Sequence, residues 1–160
     1  MSQRSASQQW LGLLAWILIA FMPAATAVFV DTGLWYAALN RPAWTPPSWV
    51  FAPVWTLLYL LMGIAAWRIW TPHGFADRGA RIALVLFLVH LIFNGAWTWL
   101  FFGLHMLTAA AIEIVSLWGM ILILTALFWK RDRIAGALLL PYLLWVTYAV
   151  SLSIGFALMN

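Results

Sequence analysis

Five apolar stretches, at residues 10–30, 49–70, 80–102, 104–129 and 134–158, constrain this chain more than any other feature of it. Each has about 20 residues or more, enough at ~1.5 Å rise per residue to cross a hydrocarbon core of ~30 Å. Lipid offers the backbone no hydrogen-bonding partner, and none of the stretches alternates with period two. Helices are therefore dictated, not barrel strands. Composition agrees: of 160 residues 66% are hydrophobic and 8% charged, with a mean hydropathy of +0.98. The expected fold class is an all-α integral membrane protein, a single domain over residues 1–160 built as one bundle of five transmembrane helices. No internal repeat emerges, so an inverted-repeat transporter is not supported. The first stretch follows Arg4 but is too long for the apolar region of a signal peptide, and is read as a retained span preceded by a disordered tail, MSQRSASQQ.

Charge gives the orientation. Arg4 precedes the first span, Arg68, Arg78 and Arg81 flank the second loop, and Lys130, Arg131 and Arg133 fill the fourth, leaving only Arg41 on the opposite side. Basic loops stay cytoplasmic, so the N-terminus is expected inside and the C-terminus outside, in a membrane such as the bacterial cytoplasmic membrane. The net charge of +4 follows from this topology. Its sources are too scattered for a nucleic-acid surface, and the partner they imply is the bilayer. Without cysteine there is neither a disulfide nor a thiolate metal site. There is no activated nucleophile and no paired carboxylate dyad. His73, His90 and His105 fall in a loop, mid-helix and at a tight turn, a spacing that does not suit a shared metal.

The loops are unequal. Residues 103–105 nearly vanish, which forces the third and fourth spans into an antiparallel hairpin, whereas residues 31–48 form a long connection. A long loop in a compact bundle commonly has a task. Residues 32–39, TGLWYAAL, suit a short helix with Thr32 near its cap. It is followed by NRPAWTPPSWVFAPVW, residues 40–55, where four prolines alternate with three tryptophans. Thr45 reads as a cap with Pro46 and Pro47 in a first turn, and Pro53 as a kink inside the second span.

This stretch, continued as TLLYLLMGIAAW, together with NGAWTWLFFG at 94–103 and PYLLWVTYA at 141–149, resembles the tryptophan-rich TspO/MBR family, also called the translocator protein or peripheral benzodiazepine receptor family. The resemblance covers nearly the whole chain. It implies a five-helix membrane protein, commonly a homodimer, whose pocket is closed by the first loop and binds porphyrins such as protoporphyrin IX, with sterols and drug-like molecules as other hydrophobic ligands. In that picture the prolines stiffen a lid, the segment 31–48, and the indoles wall a flat ligand. Porphyrin, as protoporphyrin IX or haem, enters as a ligand, and no cofactor is required.

Helical geometry, at about 100° per residue, can be laid over that picture. His90, Asn94, Trp97 and Phe101 share a face of the third span; Tyr142, Trp145, Ala149 and Ser153 share one of the fifth; Ala52, Trp55 and Tyr59 share one of the second. With Trp35 and Trp44 from the lid, the candidate ligand-binding residues are Trp35, Trp44, Trp55, Tyr59, His90, Asn94, Trp97, Tyr142, Trp145 and Ala149. Trp55 and Trp145 fall on positions resembling the family's pocket tryptophans. His90 stands where the family often carries Gln, and Ser153 where it has Asn. Trp10, Trp70 and Trp129, near span ends, read as an interfacial belt. Glu113 lies about nine residues into the fourth span, where an ionised carboxylate is costly and protonation or a bond to another helix is expected. A sterol-type pattern at Val146 and Tyr148 lacks its basic residue, which favours a tetrapyrrole over a sterol. Binding and sensing of tetrapyrroles comes first among the readings, transport second, and light-dependent oxidative breakdown, with Trp55 and Trp145 as reacting indoles, third.

Overall fold

A computed structural model of the chain describes residues 5–30 and 33–160. Its helices are α1 (Ala6–Phe21), α2 (Leu34–Ala38), α3 (Phe51–His73), α4 (Arg78–Thr98), α5 (Leu107–Arg131) and α6 (Arg133–Met159). Five segments, Ala6–Phe29, Ser48–Pro72, Arg78–Gly103, Leu107–Arg131 and Arg133–Met159, are long and apolar enough to cross a membrane. The protein is a five-helix membrane bundle. The first of these segments starts earlier than the hydropathy suggested: Ser5 accepts from the Gln8 amide while the Gln8 side chain accepts from the Ser5 amide, a capping box that makes the end of the polar tail helical. Residues 1–4 and the expected cap Thr32 lie outside the described residues.

α5 and α6 form the most extensive helix pair, as the tight turn between Arg131 and Arg133 requires, and α1 packs on α3. The α1–α3 contact depends on missing side chains: a Cβ on Gly63 would lie 2.7 Å from Ile17 Cα, and one on Gly12 would lie 2.3 Å from the Trp70 ring. Trp70, near the end of its span, is half-buried and packs on Gly12, whereas Trp10 and Trp129 are exposed. At this end of the bundle Asp77 caps α4 through the Ala80 amide and pairs with Arg131. Asp132 caps α6 through Ile134 and Ala135 and pairs with Arg68 at 2.8 Å. The basic second and fourth loops therefore meet at one end.

The opposite end departs from regular helix. After Phe21 the first segment tightens into a 3-10 helix, Met22–Phe29, opened by Pro23 and braced by the Thr26 hydroxyl on the Pro23 carbonyl at 2.7 Å. α4 instead widens into a π-turn, Trp99–Gly103, closed by the Leu104 amide on the Trp99 carbonyl. The lid differs from its expected form in two places. Thr45 caps no helix: its amide and hydroxyl both donate to the Pro42 carbonyl, and the 3-10 turn Ser48–Val50 that leads into α3 starts after Pro47. Because α3 begins at Phe51, Pro53 sits in its first turn, where no donor is needed, and the proline inside the helix is Pro72.

The lid is strapped to α6. The Asn40 amide donates to the Asn160 side chain at 2.9 Å, the Asn160 side chain donates back to the Asn40 carbonyl at 3.1 Å, and the Asn40 side chain donates to the Met159 carbonyl. Tyr148 donates to the Trp44 carbonyl at 2.6 Å. Pro42 rests on Gly155, where a Cβ would come within 2.6 Å of the proline ring.

Candidate ligand pocket

A cavity of about 590 Å³ lies beneath the lid, between the 3-10 segment and helices α3 to α6. That is within the ~300–1,000 Å³ common for small-molecule sites. Its aromatic walls come from separate elements: Trp55 of α3, Trp97 of α4 and Trp145 of α6, with Tyr36 from the lid helix and Phe102 from the π-turn. Trp55 stacks on Tyr59 with ring centroids 5.3 Å apart, and Phe51 meets Trp145 edge-on at 5.9 Å. Ala149, with its small side chain, completes the α6 wall on the lid side, and Ile114 and Leu117 close the side formed by α5.

The floor is polar and internally bonded. Tyr59 donates to Asn94 Oδ1 at 2.9 Å, and Asn94 Nδ2 donates to the Tyr142 hydroxyl at 2.9 Å, so an amide in the bundle interior is satisfied by phenols from two other helices. The indole nitrogens of Trp97 and Trp145 are buried and have no hydrogen-bond partner among the described residues. An indole N–H can only donate, so two donors without acceptors among the described residues lie in the packing around the wall, not on its accessible face.

Of the residues singled out in the sequence, Trp55, Tyr59, Asn94, Trp97, Trp145 and Ala149 line the cavity, while Trp35, Trp44, His90 and Tyr142 do not. Trp35 stacks on His105 at 3.9 Å and meets Phe101 edge-on, anchoring the lid from outside. Trp44 is exposed and engages α6 through its carbonyl. His90 is fully buried one turn below Asn94, packed between Phe87 and Tyr142, with Nδ1 against the Phe87 carbonyl. Helical phase put it on the correct face but could not give its depth. Tyr142 is the second support of Asn94, behind the wall. Glu113 makes no bond to another helix: both carboxylate oxygens are buried without partners among the described residues.

Phe101 and Phe102 exchange places relative to the expected face. A regular helix carries the Trp97 face to Phe101; the π-turn adds one residue to the turn, so Phe102 reaches the cavity and Phe101 turns to a second cluster with Trp35, Tyr36 and Phe156. The contribution of the first segment, Phe21, Pro23, Ala24 and Ala27, was missed altogether. Only the 3,3 spacing of Phe21, Ala24 and Ala27, suited to a three-residue turn after Pro23, could have signalled it.

A sequence model of the TspO/MBR family matches residues 9–159. The chain belongs to the TspO/MBR family. It is 34% identical over 147 residues to a tryptophan-rich sensory protein of Cereibacter sphaeroides, covering 92% of this chain and 90% of that one. It is 36% identical to protein CrtK of Rhodobacter capsulatus, over 81% of this chain and 80% of that one. With a translocator protein of Sus scrofa it shares 38% identity over 74% of this chain and 70% of the relative. Membership in TspO/MBR extends across all five spans, so the cavity and both of its donor tryptophans fall inside the matched region.

Proposed function

We propose that this chain is a membrane receptor for planar tetrapyrroles of the protoporphyrin IX type. The observation that carries the reading is the cavity of about 590 Å³ walled by indole rings from three different helices, Trp55, Trp97 and Trp145. A ligand matched to this wall has a flat aromatic body for Trp55 and Trp145 and a polar periphery for the side formed by Tyr59 and Asn94. A porphyrin, flat and with polar arms, meets both requirements, whereas the puckered aliphatic rings of a sterol do not stack on indoles. The names of relatives, a sensory protein in one case and a translocator protein in another, support a sensing or receptor role over a structural one. His90 stands below the Tyr59–Asn94–Tyr142 floor, which favours metal-free porphyrin over axial ligation of haem. The excess of basic residues in the loops at the Arg68 and Arg131 end supports a cytoplasmic position for that end and an outer one for the lid, so a cysteine introduced at Ser48 is expected to react with an impermeant thiol reagent from the outer face.

Titration of the purified protein in nanodiscs with protoporphyrin IX, read by quenching of tryptophan fluorescence in the dark, tests the reading. Saturable one-site quenching that cholesterol does not compete away is the expected result. Absence of saturable quenching refutes it. A new absorbing pigment formed only in light moves the assignment to porphyrin breakdown, and porphyrin flux across proteoliposomes moves it to transport.

A further inference from the structure

The cavity has a roof and a side, and they differ. The roof is the lid, held on α6 by the Asn40–Asn160 exchange and the Tyr148 hydroxyl. The side between the 3-10 segment and the start of α3 is built differently. Lower down, Gly63 brings α1 against α3 in close contact. Above Phe21 the first segment leaves α3 and packs on α4, where Gly95 has no side chain: a Cβ there would lie 3.3 Å from Thr26 and 3.7 Å from Pro23. The two helices that touch at Gly63 thus diverge toward the cavity.

What borders the resulting wedge is small. Ala24 and Ala27 on one side and Ser48, Ala52 and Thr56 on the other line the cavity and are also exposed. The hydroxyls of Thr26 and Thr56 donate to carbonyls of their own helices, at 2.7 and 2.8 Å, so neither presents a free donor to the wedge. The outer surface beside it is apolar: Met22, Phe29, Trp49 and Leu57 are 55–75% exposed. Ala24 and Ala52 lie four to five residues inside the ends of their membrane-length segments, which places the wedge at hydrocarbon depth, ~6–10 Å in at helical rise.

We infer that this wedge, between the 3-10 segment Met22–Phe29 and the first two turns of α3, is a lateral portal through which a planar hydrophobic molecule dissolved in the bilayer enters the cavity edge-on without the lid opening. The inference rests on the receptor reading above. It gives the small residues on both rims a reason beyond packing, since the 3-10 segment makes its close contact with α4 and not with the start of α3. A flat ring system passes such a slit; a bulky headgroup does not.

The chain has no cysteine, so Ala52→Cys can be alkylated at one site and compared with itself before reaction. The probe is protoporphyrin IX dissolved in the bilayer of nanodiscs, followed by stopped-flow quenching of tryptophan fluorescence. Alkylation with a bulky benzyl-type maleimide should slow association by about tenfold without speeding dissociation, as a plugged gate does, whereas damage to a binding wall speeds dissociation. Ala24→Trp should do the same from the opposite rim. Unchanged rates after alkylation overturn the portal, as does a weakened Kd with unchanged association, which would make Ala52 part of the wall. Faster exchange in Asn160→Ala with no effect of either plug would move entry to the roof. Failure of the unmodified protein to bind porphyrin at all would instead refute the receptor reading, so the two failures are distinct.

Discussion

The two ends of the bundle obey different rules. At the basic end each helix start has a side chain that satisfies it, Ser5, Asp77 or Asp132, and two of these caps are tied to arginines of neighbouring helices. At the cavity end the first segment over-tightens and α4 unwinds into a π-turn, while among the described residues α2 and α3 begin without a side-chain cap and two indole donors lack acceptors. Local rules are broken together around the cavity, and kept together where helices need only be held. The contrast can be broken experimentally at four points.

The largest effect is expected at Gly63, where the scaffold depends on backbone contact. Gly63→Leu would drive a side chain into Ile17 Cα, 2.7 Å from the position of its Cβ. A main chain cannot yield as a flexible side chain can, so destabilisation of about 3 kcal/mol or more is expected. Gly119→Leu is the matched control, because nothing lies within 4 Å of its Cβ position. Thermal denaturation in detergent should show a large fall in Tm for the first and none for the second. Equal Tm values would mean that the α1–α3 contact does not hold the bundle.

At the cavity end the balance is reversed, toward binding. Trp145→Leu removes both a ring and an unpartnered donor, with little bonding lost inside the protein. Porphyrin affinity should fall by about 1–3 kcal/mol, the scale of stacking on planar rings, while Tm stays near that of the parent. A loss of stability comparable to that of Gly63→Leu would make Trp145 a packing residue and erase the distinction between the ends.

How much of this was legible beforehand follows the same division. Spans, faces and the inward direction of Trp55, Asn94, Trp97 and Trp145 could be read because hydrophobic length and 3.6-residue phase are properties of one helix at a time. Depth along the bundle axis is not, and His90 and Tyr142 were assigned to a wall they stand beneath or behind. Phase also fails where the helix type changes. The π-turn moved Phe102 into the place of Phe101, and the 3-10 segment brought Phe21, Ala24 and Ala27 into the cavity. Trp35 and Trp44 carried a family expectation about the lid, but the lid meets the cavity with Tyr36, while Trp35 stacks on His105 and Trp44 engages α6.

A smaller and mixed effect is expected on the floor, which belongs to both regimes. Tyr142→Phe deletes the acceptor of Asn94 Nδ2 in a place without solvent, at a cost of about 1–2 kcal/mol in stability for the donor left unpaired. Porphyrin affinity should change less than in Trp145→Leu, because Tyr142 is outside the cavity. A porphyrin Kd more damaged than that of Trp145→Leu would show that the floor reads the ligand directly.

The smallest effect is expected at Asp132, where the basic end meets water. Its carboxylate receives the Ile134 and Ala135 amides and Arg68, and its side chain is 23% exposed. Partial burial pushes its pKa up, but the Ala135 amide, the Arg68 hydrogen bond and charge and the Ile134 amide together outweigh this and hold it below the ordinary value. A carboxylate with a lowered folded-state pKa contributes stability that is complete above its unfolded value, ~3.9, and is lost as pH falls through the lower folded one. Asp132→Asn keeps an acceptor for the helix start but not the charge. With solvent screening, the difference near neutral pH should be below about 1 kcal/mol. That difference should close as pH is lowered from about 5 to below the folded pKa, because the parent loses the charge that the variant never had. Tm measured for both proteins across this range decides the matter. A gap that stayed constant to the acid limit would mean that Asp132 acts through cap geometry alone, and that Arg68 lies beside it without contributing.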